Sequence, residues 1–319
     1  MSPPQPASTP DVNALPTRVI VNPSAGGGRV RADWPALQQQ MERQIGAFSF
    51  AFTEGPNHAT DLTRRALSGP YQRIVSIGGD GTLNEVVNGF FDDGAPIRPG
   101  AVLVPVACGT AGDFRRTLGR SAALPDFTAR RLQRIDVGRL TYTDADERQT
   151  ARHFINIASF GMGGMVDAVV RDLPLKPLLG GRLAYLYAIL HTLARYRNPA
   201  VELRIDGGSQ GRMTIRNVAV ANGQFFGGGL RIAPEASLQD GYFDVVVIKD
   251  LSVADLIQHI RQFYSGTHAE IDGVTIVRGR RVEAHPVGAT PVLLDVDGEP
   301  LGQLPATFEV IPRALTIQY

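Results

Sequence analysis

Three glycine-rich turns, each set between a short apolar run and a helical pattern, constrain this chain more than any other feature. In "RIVSIGGDGTLNEVVNGF" (73–90), Ile74, Val75 and Ile77 read as a buried strand, and Leu83, Val86, Val87 and Phe90 follow at helical spacing. Gly78, Gly79 and Gly81 therefore fall in the strand-to-helix turn, where glycine permits positive φ and close approach by another molecule. "VNPSAGGGR" (21–29) and "PVACGTAGDFRR" (105–116) repeat the arrangement. Free amides at such turns favour phosphate. Asp80 is the odd member, because a carboxylate repels phosphate unless a metal ion or a proton transfer is involved. None of these turns spells a P-loop or Gly-x-Gly-x-x-Gly.

Strands are expected at 18–21, 48–52, 73–77 and 101–104, with helices near 31–45, 58–68 and 82–91. Strand–helix alternation implies parallel pairing with right-handed crossovers, so 17–136 reads as a doubly wound α/β nucleotide domain. The three turns then lie at the carboxyl edge of the sheet, where such sheets bind ligands. From 137 to 319 the texture changes. Helices near 163–171 and 181–197 interrupt strands at 152–158, 201–206, 212–221, 242–248, 274–277, 280–285, 292–296 and 306–311. The expectation is a mostly β C-terminal sandwich domain, with the active site in the cleft between the two. The last stretch, 314–318, is free to return to either domain, and residues 1–16 read as a disordered tail and not a signal peptide.

The net charge of +1 advertises no nucleic-acid partner. Cys108 is the single cysteine, which excludes an intrachain disulfide and suits a cytoplasmic, reducing compartment. The six histidines show no metal-ligand spacing. The apolar stretch 181–194 is too short to span a bilayer; it reads as core, or as the wall of an acyl-chain pocket.

With these residues in view, the sequence resembles the diacylglycerol kinase catalytic family, which includes bacterial soluble lipid kinases and the sphingosine and ceramide kinases. That family shares its nucleotide fold with NAD kinases and phosphofructokinases. The resemblance rests on an ordered set: "VNPSAGGGR", "GGDGTLNEVVNG" (78–89), "GTAGDFRRTLG" (109–119), "NIASFGMGG" (156–164), "GGRLAYLYAIL" (180–190), "VANGQFFGGGLRIAPEASLQDGYFDVVVI" (220–248) and "LDVDGEPL" (294–301). It implies ATP contacts at Asn22, Thr53, Gly78, Gly79, Asp80, Gly81, Thr82, Asn84, Glu85, Gly109 and Thr110. It implies catalytic roles for Asp297 as general base, Glu299 beside it, and Asp80 towards nucleotide-bound Mg²⁺. It also implies a structural magnesium held by Asp240 with the backbone carbonyls of Ser237 and Tyr242. The residues alone leave alternatives open, since Asp297–Gly298 also suits a type I′ hairpin turn and "QDGY" (239–242) a plain turn. There are departures from the family pattern: Ala107 and Cys108 replace bulkier residues, Gly112 replaces asparagine, and Arg115 replaces alanine.

The expected function is an ATP- and Mg²⁺-dependent kinase of lipid metabolism and phospholipid biosynthesis, transferring the γ-phosphate to a lipid hydroxyl. The acceptor would be diacylglycerol-like or sphingoid- or ceramide-like. Two rivals are a kinase of a soluble acceptor such as NAD and a catalytically silent lipid- or nucleotide-binding protein. The partners to expect are a lipid with a free hydroxyl and peripheral contact with the inner membrane face, with a homodimer left open and no nucleic acid.

Overall fold

Alternate residues of four short strands face opposite ways, and helices cover both sides. The strands are β1 (Thr17–Val21), β2 (Ser49–Phe52), β3 (Arg73–Gly78) and β6 (Val102–Ala107), all parallel in the order β2-β1-β3-β6. Val19, Val21, Val75 and Val104 pack with Trp34, Met41 and Ile45 of α1 (Arg29–Ile45). Ile20, Ile74 and Leu103 pack on the other face with α2 (His58–Ser68) and α3 (Asp80–Asn88) through Ala66, Leu67, Val86 and Val87. Parallel strands buried on both faces are what the unbroken apolar runs require. A two-residue hairpin, β4 (Phe91–Asp92) with β5 (Ala95–Pro96), and the short α4 (Asp113–Thr117) complete this half.

The computed structural model describes residues 15–108, 112–120, 127, 131–144, 148–165, 169 and 196–319. Most of the expected tail, Gly109, Thr110, residues 181–195 of the helix expected at 181–197 and most of that at 163–171 lie outside the described residues, and 196–197 are not helical.

The second half is built from β7 (Leu132–Thr143), β8 (Gln149–Phe154), β9 (Ile157–Gly161), β10 (Ala200–Ile205), β11 (Gly208–Ala221), β12 (Phe243–Lys249), β13 (Val274–Gly279), β14 (Arg281–Val287), β15 (Leu293–Val296) and β16 (Glu299–Gln318). Two short helices, α5 (Val253–Gln258) and α6 (Ile260–Ser265), follow β12. β11 and β16 are long enough to pair with strands on both sides of the sandwich. The pairing therefore closes a circuit, β11-β10-β14-β16-β15-β9 and back to β11. Phe154, Phe160, Val218, Phe243, Val282 and Phe308 belong to one buried core in this half.

β16 also leaves this circuit. Its final residues pair in parallel with β6, Thr316 opposite Val102 and Ile317 opposite Leu103, while β7 runs antiparallel to it from Gln318 back to Gln303. The stretch 314–318 thus completes the first sheet, and the expected boundary at 136/137 falls inside β7. All strands except β4 and β5 form one fourteen-stranded hydrogen-bonded sheet.

Candidate active site

The parallel register fixes what lies at the carboxyl edge. Just beyond the strands, the amide of Asn22 donates to the Ile77 carbonyl (2.8 Å), that of Cys108 to Gly78 (2.7 Å), and that of Thr53 to Val21 (2.9 Å). Asn22, Thr53, Gly79 and Cys108 are thereby held at one edge. The turns are also bonded to one another. The Asn22 side chain donates to the Thr82 hydroxyl (2.8 Å) and accepts from the Ser24 amide (2.9 Å). Gly78 admits this arrangement, because a Cβ there would lie 2.5 Å from Thr82.

Asp80 is the first residue of α3, and its Oδ2 accepts the amide of Gly112 from the third turn (3.0 Å). Burial, then the carboxylates of Asp113 and Asp297, raise its pKa to about 6 against the opposing pull of the Gly112 amide. Asp113 joins the third turn to the second half: it accepts from Arg116 (2.7 Å) and from the amide of Gly228 in the triple-glycine segment (2.8 Å). Burial raises its pKa too, and those donors oppose the shift.

Asp297 sits at φ 50° with Gly298 at φ 86° in the two-residue turn joining β15 to β16. Positive φ at both positions is the type I′ geometry. The same aspartate faces the cleft, so the turn and the site coexist. Its Oδ1 accepts the amides of Asn156 (3.1 Å) and Ile157 (3.0 Å), and its Oδ2 accepts the Ile155 amide (3.2 Å) and Asn84 Nδ2 (3.0 Å). Burial raises its pKa while these four donors hold it back. Glu299 reaches back across the cleft, its Oε1 lying 2.1 Å from where a Cβ on Gly81 would stand.

Asn84 is oriented by its neighbours, with Oδ1 accepting from Arg152 Nε (3.1 Å) and Asn88 Nδ2 (3.1 Å). Behind it, His153 stacks on Phe91 at 4.3 Å. Its pKa is lowered to about 4 by burial and by Arg139, Arg152 and Arg64, so it stays neutral and offers no acid.

Two of the expected site residues are otherwise engaged. The Glu85 carboxylate accepts the amides of Asn57 (2.8 Å) and Ala59 (3.1 Å) and so caps α2, whose own Asn57 makes no side-chain cap. Asp240, expected to hold a metal with the backbone carbonyls of Ser237 and Tyr242, pairs with Arg278 and accepts the Tyr242 amide (3.1 Å). Ser237 Oγ accepts the Gln239 amide (3.3 Å), and the Tyr242 ring lies under the guanidinium groups of Arg278 and Arg280. Among the described residues no cluster of three or more His, Cys, Asp or Glu is set to hold a metal ion.

Sequence reasoning had no role for Asp113, Asn156 or Arg152, although Asp113 and Asn156 lie in quoted motifs. Asn156 donates its side chain to the Phe225 carbonyl (2.8 Å) and its amide to Asp297, tying the triple-glycine segment to the cleft.

Comparison with known proteins fits this geometry. Residues 16–140 match the diacylglycerol kinase catalytic domain, and 156–319 match the YegS C-terminal NAD kinase beta sandwich-like domain. The chain is 32% identical over 310 residues to the diacylglycerol kinase of Bacillus subtilis, covering 94% of this chain and 95% of the relative. This chain belongs to the diacylglycerol kinase family. A diacylglycerol kinase of Staphylococcus carnosus is 31% identical over 91% of this family member and 90% of its own length. In fold, this diacylglycerol kinase family member is similar to a diacylglycerol kinase from Bacillus anthracis (TM-score 0.67, 20% identity, 96% and 97% of the chains covered). It is more distantly similar to yeast NADH kinase complexed with NADH (TM-score 0.52, 14% identity, 95% and 82% covered). By family it is a kinase, a phosphotransferase for which ATP is the implied donor.

Proposed function

We propose that this chain transfers the γ-phosphate of ATP to the hydroxyl of a lipid, of the diacylglycerol or the sphingoid and ceramide class. The observation that carries this reading is that Asp80 is held by the Gly112 amide at the carboxyl edge of the parallel strands, while Asp297 from the second half is bonded to Asn84 of the same helix, so both carboxylates lie beside the glycine turns. Phosphoryl transfer asks little covalent chemistry of the protein; it needs alignment, charge neutralisation and a base.

Asn22, Thr53, Gly78, Gly79, Gly81 and Thr82, with Gly109 and Thr110 beyond the described residues, line up the phosphates. Asp80 offers a carboxylate beside these turns, and hard oxygen donors suit Mg²⁺, which takes one or two carboxylates and completes its shell with phosphate and water. Asp80 would hold it, and the ion would neutralise charge on the phosphate being transferred. Asp297 accepts the hydroxyl proton. Its lone pairs are shared among four N–H groups, so one must yield as the proton arrives. Asn84 is the side-chain donor among them. Glu299 flanks the acceptor side of Gly81.

The test is transfer of label from γ-labelled ATP into an extracted lipid mixture, beside Asp297→Asn and a magnesium-free control. Labelled lipid made only by the intact protein with Mg²⁺ supports the reading and identifies the acceptor. Label found only in a soluble acceptor such as NAD would replace the lipid. Bound ATP with no turnover would leave a binding protein.

A further inference from the structure

Gly112 and Arg115 of the third turn meet in space. Gly112 is left-handed at φ 63°, and its amide is the one that Asp80 accepts. A Cβ built on it would touch the Arg115 guanidinium, 3.4 Å from Nη2, 3.5 Å from Cζ and 3.6 Å from Nε. The volume beyond the Gly112 Cα is therefore filled by an arginine three residues on. An asparagine tolerates a left-handed backbone, but its carboxamide would compete for that same space.

Arg115 lines a pocket, partly open to solvent, that Gly79, Asp80, Phe114 and Leu118 also line. Arg115 Nε is shielded from water and has no hydrogen-bond acceptor. Among the described residues Arg115 forms no ion pair, since the nearest carboxylate in sequence, Asp113, is taken by Arg116 at 2.7 Å. A desolvated donor of fixed positive charge, facing a pocket beside phosphate-binding turns, lacks an anion. A guanidinium presents a planar fork of donors matched to two phosphate oxygens, which a carboxamide cannot equal.

We propose that Arg115 is a phosphate-binding residue of this site, its guanidinium seated against the bare Cα of Gly112. This rests on the kinase reading for the identity of its ligand. The phosphate belongs either to the nucleotide or to the headgroup of an anionic lipid acceptor, and the chemistry of capture is the same.

The experiment measures dissociation constants for ATP, ADP and adenosine by calorimetry, and KM for phosphatidylglycerol and for diacylglycerol in mixed micelles. The proteins are the wild type, Arg115→Ala, Arg115→Gln and the double variant Gly112→Asn with Arg115→Ala. Arg115→Gln keeps much of the stem and guards against a folding defect. If the nucleotide is the source, both single variants bind ATP and ADP about ten-fold or more weakly, adenosine is unaffected, and the double variant recovers part of the loss. If the lipid is the source, nucleotide binding holds and KM rises for phosphatidylglycerol alone. Unchanged nucleotide binding together with unchanged KM for both lipids overturns the proposal. A wild type that binds ATP yet labels no lipid would remove the proposed function while the nucleotide arm still decides Arg115. A wild type that binds no ATP and labels no lipid overturns both.

Discussion

Asp80 holds its proton to about pH 6, well above the ordinary carboxylate range, because burial and the carboxylates of Asp113 and Asp297 disfavour its charge. Between about pH 4 and 6 the folded chain keeps a proton that the unfolded chain has released, so stability falls as pH rises through that window. Asp80→Asn is therefore expected to raise Tm by about 2–4 °C at pH 7.5 and to leave it unchanged below pH 4, while abolishing transfer. Equal melting of the two proteins at pH 7.5 would show that the charge costs nothing. For the intact enzyme, kcat/KM should fall below about pH 6 as Asp80 protonates. At Gly78, alanine would drive a methyl into Thr82 and break the Asn22–Thr82 bond, costing about 1–3 kcal/mol in urea unfolding along with nucleotide affinity. Alanine at Gly81 meets only the tip of Glu299, which can swing aside; the fold should survive, with the loss read in kcat.

Among the elements, the strands of the nucleotide half were legible because each is a short apolar run, and β1, β3 and β6 are buried on both faces and lead into glycine-bearing turns. Other elements were not, for reasons that differ. β7 escaped because Asp136 interrupts its apolar pattern; fully buried, it accepts the amides of Gly241 and Arg313 at 2.7 Å each and pins the irregular stretch of β16. The single strand expected at 152–158 is two, β8 and β9, because the amides of Ile155, Asn156 and Ile157 turn onto Asp297 instead of a partner strand. Here the departure from regular pairing marks the site itself. α5 carried a readable signal that went unused, Ser252 and Asp255 forming a capping box. In the site, Asn22, Thr82, Asp80 and Asp297 were visible as motif positions. The turning of Glu85 onto α2 and the pairing of Asp240 with Arg278 depend on contacts that sequence spacing does not encode. Glu85→Gln should cost about 1 kcal/mol by urea unfolding, through the cap of α2 and not through a nucleotide contact. A larger loss of ATP affinity than of stability would return Glu85 to the binding site.

At the scale of the whole molecule, the continuous sheet through β16 makes the two halves one mechanical body. Ile317 is fully buried in the core of the first half although it follows the whole of the second. Ile317→Ala should cost about 2–5 kcal/mol and shift a single calorimetric transition downward without splitting it. Two separate transitions would show that the halves unfold independently. The same strand sets a timetable for synthesis. While the ribosome is still making the second half, the finished β6 presents an open edge of unpaired amides and carbonyls, and that edge invites a neighbouring chain. The nucleotide half is thus translated early and closed late, and the nascent protein must shield one bare edge until its last strand arrives.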